Sequence, residues 1–188
     1  MIFKKIFIVG VLVLTCSCAS KRVPVNYVLN LQHKIFKVAI LPFKNYTKNT
    51  TISRVIYREL LNKLVQSKYF TVIEEGEIRN FYIKNKIYPG EYPSYSAFVS
   101  LKRKTGVNVV VSGEVLKADS RRGSLNIALL LWVRDITTGK LLWTTYYNKS
   151  AEEYGKILGF GKIYSLAELA ERMIDDILIV WEKKLKGE

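Results

Sequence analysis

The sequence predicts an α/β fold: a mixed sheet made of a βαβ-like unit plus a C-terminal antiparallel meander, covered by amphipathic helices. Three features predict it. The first is the run from Phe36 to Thr47, FKVAILPFKNYT. Val38, Ile40 and Leu41 make it apolar on both faces, Pro42 stops its ladder hydrogen bonding, and Asn45 and Thr47 open a polar loop. That is the pattern of a fully buried strand, which needs cover on both sides. The second is an amphipathic stretch directly after it, followed by another short apolar run. The third is a set of three alternating segments between Val107 and Tyr147, separated by turn residues.

Length and composition bound the rest. The chain has 188 residues, which fits one domain plus a targeting segment. Lys and Arg number 30 against 16 acids, a formal net charge of +14. Such a surface attracts anions such as lipid head groups, acidic polysaccharide or nucleic acid, or it simply serves solubility.

Residues 1–17 read as a signal peptide. Lys4 and Lys5 precede an apolar core from Ile6 to Leu14, too short to span a bilayer as a mature helix. Thr15-Cys16-Ser17-Cys18-Ala19-Ser20 follows. A small residue before a cysteine, just after an apolar core, resembles a bacterial lipobox. Cys18 fits it better than Cys16 because Ser17 is the smaller preceding residue, although Thr15 stands where the pattern wants Leu. Acylation at Cys18 would remove Cys16 with the leader and leave the mature chain without a free thiol, a disulfide or a cysteine metal site. The competing reading is ordinary secretion. Resemblance to bacterial lipoproteins implies outer-membrane sorting, since Ala19 is not an acidic retention signal, and two or three acyl chains hold stably where one would be marginal.

Residues 18–35 read as a linker. The roughly 17 residues between Cys18 and Phe36 reach at most about 60 Å when stretched, and on the order of 20–25 Å as a coil. The domain, 36–188, therefore stays near the membrane, with Lys21, Arg22 and Lys34 available to lipid head groups.

Within the domain, Ile52, Val55, Ile56, Leu60, Leu64 and Val65 recur at helical spacing and predict a helix over about 51–68. Thr50 or Thr51 is expected to cap it, and Glu59 and Lys63 are spaced for an ion pair. Tyr69–Glu74 is a second strand, completing the βαβ-like unit. Between 75 and 104, Pro89, Gly90 and Pro93 separate two short helices, and Tyr82, Tyr88, Tyr92 and Tyr95 cluster there. Tyrosines beside Pro and Gly either stack on sugars or form an interface, or they pack their own loop on the domain. Gly106 ends the second helix.

The meander begins with Val107–Leu116, where Gly113 marks a bulge. SRRG at 120–123 is a turn. Leu125, Ile127, Leu129, Leu131 and Val133 alternate along the next strand, while Leu130 and Trp132 on its other face indicate that part of that face is covered too. A hairpin loop follows at 135–140, with Gly139 suited to positive φ. Leu141, Trp143, Thr145 and Tyr147 form the last strand. Gly159-Phe160-Gly161-Lys162 superficially resembles a phosphate loop, but Tyr164 replaces the third glycine and Ile163 follows the lysine, so a flexible connection is the better reading. The last helix has the sharpest signals: Ser165 and Glu168 as a capping box, Tyr164 and Leu169 as a hydrophobic staple, and an apolar face from Leu166 to Trp181.

These motifs resemble the CsgG/PelC-type periplasmic outer-membrane lipoproteins. The residues that carry the resemblance are Val38-Ala39-Ile40-Leu41-Pro42-Phe43 with Asn45 and Thr47, then Val111-Ser112-Gly113-Glu114. The hairpin from Val133-Arg134-Asp135 to Thr138-Gly139-Lys140-Leu141-Leu142-Trp143 completes the set. The resemblance implies a lipid-anchored α/β sandwich that forms homo-oligomeric rings and assists polymer export or surface assembly. No spare pair of strands remains for the membrane barrel of the curli channel, and the linker is too short to cross peptidoglycan. A PelC-like accessory is therefore expected, with an acidic polysaccharide or an envelope protein as partner. The alternative is a lipoprotein regulator of a peptidoglycan synthase or another envelope enzyme.

Enzyme readings find little support. The one histidine, His33, lies in the linker, and no catalytic triad, metal set or cofactor motif is present. Of the carboxylates Glu74, Glu75, Glu114, Asp119 and Asp135, the last is placed to cap its own hairpin loop. Nucleic acid is an unsuitable partner for a secreted chain.

Overall fold

The computed structural model describes residues 25–27, 36–121, 124–155 and 161–186. Seven strands form one sheet: β1 (Val25–Tyr27), β2 (Phe36–Ile40), β3 (Lys44–Asn45), β4 (Phe70–Val72), β5 (Val109–Arg121), β6 (Ser124–Asp135) and β7 (Leu141–Ser150). Their order is β1-β7-β6-β5-β2-β4, with β3 beside β5. The described helices are α1 (Ile52–Gln66), α2 (Glu75–Lys84), α3 (Tyr95–Thr105) and α4 (Leu166–Lys186), with a 3-10 turn at Ala151–Tyr154.

β2 is central to the parallel half, as its two-sided hydrophobicity requires. It pairs in parallel with β4 (Val38↔Val72) and with β5 (Ile40↔Val111). Alternate side chains point to opposite faces. Val38 and Ile40 enter the larger core with α1, α4 and the inner face of the meander. Ala39 and Leu41 enter a second core under α2 and α3. The mixed sheet, the βαβ-like unit and the meander are all present.

Pro42 ends β2 without taking the chain off the sheet. The backbone returns as β3, pairing Lys44 with Glu114. Asn45 Oδ1 then accepts from the Thr47 amide (2.9 Å) and hydroxyl (2.8 Å), a side-chain turn that lifts the chain toward α1. Thr51 occupies the N-cap position of α1 but does not cap it. Its hydroxyl donates to Asn49 Oδ1 at 2.9 Å, because the preceding turn already uses it.

Other local expectations yield to tertiary contacts. Val65 is exposed, one 100° step past Leu64, and Tyr57 is buried in the stripe instead. Lys63 bonds to Asp175 (2.7 Å) and Glu171 (3.7 Å) across on α4 rather than to Glu59. Ser67 bonds to Glu182, so α1 and α4 run side by side in the same sense. At the start of α4, Ser165 Oγ accepts from the Glu168 amide at 3.1 Å, but the Glu168 carboxylate reaches past the cap to the Tyr164 amide at 3.1 Å. The Tyr164 ring stays in water with Lys162 Nζ 5.5 Å from its centre, so the staple onto Leu169 is not made.

Two further corrections concern the sheet. Pairing runs unbroken through Gly113↔Leu131, and the irregularity falls between Val115 and Lys117. Glycine is needed at 113 for another reason: a Cβ there would lie 2.5 Å from Leu131 Cδ2 and 2.7 Å from the Leu130 carbonyl oxygen. The span 18–35, read as linker, contains β1, which pairs antiparallel with β7 (Val25↔Thr145). Three residues carry almost no periodicity, and an edge backbone supplied the ladder partner. The hairpin glycine behaves as expected, with Gly139 at φ +68°.

Candidate interaction face

The meander has a covered side and an open side. Val109, Val111, Val115, Ile127, Leu129, Leu131 and Val133 face α1 and α4. The alternate residues face away. Cross-strand register places Ser112, Trp132 and Thr144 in one row, and Glu114, Leu130 and Tyr146 in the next. The core under α2 and α3 reaches the meander only at Val110 and Ile136. Beyond these, no described helix covers this side.

The open side is aromatic and apolar. Tyr46, Leu116 and Tyr146 are exposed, while Leu130 and Trp132 are half-buried. Four polar atoms on it are shut from solvent without a hydrogen-bond partner among the described residues: Ser112 Oγ, Trp132 Nε1, Arg134 Nε and Asn126 Oδ1. Ser112 is only 5% exposed. Buried polar groups are normally bonded, so four orphans on one face are an unusual cluster. Charges there are few and engaged. Lys44 Nζ lies 4.7 Å from the Tyr46 ring centre, and Tyr46 donates to Glu114 Oε1 at 3.4 Å.

The structure divides the four tyrosines singled out from the sequence. Tyr82 is 4% exposed and donates to the Glu91 carbonyl at 3.1 Å, so its ring belongs to the second core. Tyr92 packs edge-on against Phe98 at 5.1 Å, and the Arg134 guanidinium lies 5.9 Å from its ring centre. Burial pushes the Tyr92 phenol up, and Arg134 offsets part of that. Tyr95 is exposed and reaches the Thr137 carbonyl at 3.4 Å. Tyr92 and Tyr95 thus edge the open face beside Arg134, whereas Tyr88 stands in solvent beside Glu91. Sequence reading missed the participation of Tyr46 and Tyr146. The available signal was that both faces of 125–133 are apolar, but the expectation took part of the outer face as covered, whereas Leu130 and Trp132 are only half-buried there.

Of the carboxylates singled out from the sequence, Glu114, Asp119 and Asp135 have partners within the fold, while Glu74 stands at the N-cap of α2 without a side-chain cap bond. Asp135 Oδ1 accepts from the Thr137 amide (2.8 Å), the Thr138 amide (2.7 Å) and the Thr138 hydroxyl (3.1 Å), closing its own hairpin loop as expected. Burial raises its pKa, but the bonds from Thr138 and Thr137 and the charge of Lys102 outweigh this and hold the carboxyl below its ordinary value. Asp119 pairs with Lys117 at 3.5 Å. Among the described residues no group of three or more His, Cys, Asp and Glu side chains could hold a metal, and no helix is long and apolar enough to cross a membrane. Cys18, His33 and the 159–160 part of the glycine-rich stretch lie outside the described residues.

No protein-family model matches this sequence, and no curated protein does. The class defined by the sheet order and the helices on both faces of β2 is the PelC-type mixed α/β fold. Among solved structures the chain is similar to the PelC dodecamer from Paraburkholderia phytofirmans, with a TM-score of 0.57 and 15% identity, covering 87% of this chain and 96% of that one. It is also similar to the hypothetical protein CT253 from Chlamydia trachomatis (TM-score 0.53, 17% identity, 81% and 99% covered). A third is lipoprotein GNA1162 from Neisseria meningitidis (TM-score 0.51, 13% identity, 76% and 96% covered). At such identities the likeness concerns the fold.

Proposed function

We propose that this chain is a CsgG/PelC-type envelope lipoprotein, anchored through acyl chains on Cys18 at the periplasmic face of the outer membrane. It acts without catalysis, as an oligomeric scaffold in the export or assembly of a cell-surface polymer. The observation that carries this reading is the open face of the meander. An aromatic and apolar surface with buried, unbonded polar atoms is a surface suited to being covered. A net charge of +14 opposes self-association over most of the molecule, and this face carries few charges. The similarity to PelC, solved as a dodecamer, supports the homo-oligomeric part. The basic surface supports an acidic polysaccharide or anionic lipid as what the assembly meets.

Native mass spectrometry of the acylated full chain in detergent, at micromolar concentration, tests the reading. A discrete multimer is expected, and W132A/Y146A is expected to return monomers with an unchanged circular dichroism spectrum. A monomeric wild-type chain overturns the scaffold. If that monomer recovered a peptidoglycan synthase in a one-to-one complex, the regulator would replace it. Mass measurement of the N-terminal peptide should find the lipid on Cys18.

A further inference from the structure

A second feature lies at the other half of the sheet. β2 and β4 are parallel neighbours whose onward connections part: β2 continues to α1 on one face, and β4 to α2 on the other. Where such connections diverge, a crevice opens at the carboxyl ends of the strands, and open α/β sheets bind ligands there. Here it has a volume of about 470 Å³, within the usual range for small-molecule sites. Phe43 lines it at the end of β2, Arg54 and Tyr57 line it from α1, and Glu75, Ile78 and Arg79 line it from α2. The three- and four-residue spacings turn one stripe of each helix toward the crevice.

Three observations give the crevice a chemical preference. Tyr57 is only 9% exposed and its ring packs edge-on against Phe43 at 6.2 Å, yet its hydroxyl has no hydrogen-bond partner among the described residues. Burial pushes that phenol up to about 12, so at neutral pH it is a proton-bearing donor. The first turn of α1 has no acidic residue, so the positive end of its dipole favours an anion there and no carboxylate opposes one. Arg54 and Arg79 make no ion pair among the described residues, and two arginines against Glu75 leave the lining with a net charge of +1.

We propose that this crevice binds an amphiphilic anion. Its acid head meets Arg54, Arg79 and the Tyr57 hydroxyl, and its apolar body lies along Phe43 and Ile78. A free fatty acid and the head group of an acidic lipid share this chemistry. The site does not depend on the oligomeric reading above, since neither its residues nor its location belongs to the open face of the meander.

Isothermal titration calorimetry of the full chain tests it. Decanoate represents the fatty acid and dihexanoyl phosphatidate the lipid, both below their micelle thresholds. At least one is expected to bind at a single site, at least tenfold tighter than decanol or acetate, and the arm that binds identifies the source. R54Q/R79Q should weaken binding at least tenfold. Y57F, which keeps the buried ring, should weaken it several-fold with an unchanged circular dichroism spectrum. K140Q, on the hairpin at the opposite end of the sheet, should leave it unchanged. Failure of both amphiphiles, equal binding of decanol, wild-type affinity in R54Q/R79Q, or an equal loss in K140Q overturns the proposal.

Discussion

Gly113 has no room for a side chain, because a methyl group would press on Leu131 and on the Leu130 backbone. G113A is therefore expected to cost about 1–3 kcal/mol, the usual penalty for overpacking, read by urea denaturation. The buried phenols set a second limit, on the alkaline side. Burial raises the Tyr57 pKa to about 12, and burial also raises those of Tyr82, Tyr147 and Tyr154. The unfolded chain ionises these groups near pH 10. Their contribution is thus complete below that pH and is lost as pH rises toward their folded values. Thermal midpoints should fall between about pH 10 and 12, and less steeply in Y57F. Asp135 has the opposite sign. Its lowered pKa contributes stability above the ordinary carboxylate value that disappears as pH falls through the folded one. D135N should flatten the acid limb of the same profile.

At the scale of elements, one carboxylate joins three segments. Asp176 on α4 accepts from Tyr147 of β7 (2.7 Å) and from Tyr154 of the 3-10 turn (2.6 Å), both on Oδ2. D176A strands two half-buried hydroxyls and should cost about 2–3 kcal/mol. Faster amide exchange at 151–155 than elsewhere in β7 would check that the turn is what loosens. The two-sided apolar run of β2, the stripe of α1 and the alternation of β6 are local patterns, and they identified these elements correctly. Lys63, Thr51 and Glu168 each had a plausible neighbour in sequence and took a different partner in space. That choice depends on how α1 and α4 lie together and on where the Asn45–Asn49 turn ends, and no local window contains either. β1 was hidden for a related reason: a three-residue edge strand is specified by the β7 backbone beside it more than by its own side chains.

For the whole molecule, the open face was only half legible. The apolar outer residues Leu130 and Trp132 were visible on β6, but Tyr46 and Tyr146 join them only through strand register, and Tyr82 leaves the surface altogether. The crevice was invisible in sequence because Arg54, Tyr57 and Arg79 meet only once β2 and β4 send their helices to opposite sides. If the basic surface serves an acidic polymer, binding of the full chain to alginate should weaken steadily as salt rises from about 0.05 to 0.5 M, since screening shortens the reach of exposed charges. Unchanged binding across that series would assign the charge to solubility alone. The stitching of Val25–Tyr27 onto β7 has one more outcome. Only seven peptide steps separate Cys18 from Val25, a leash of about 25 Å at full stretch. An acylated copy would have little freedom to pivot: its β1 margin would stay turned toward the bilayer. Copies joined in a ring would then stand with the same pole down, like staves nailed to one floor.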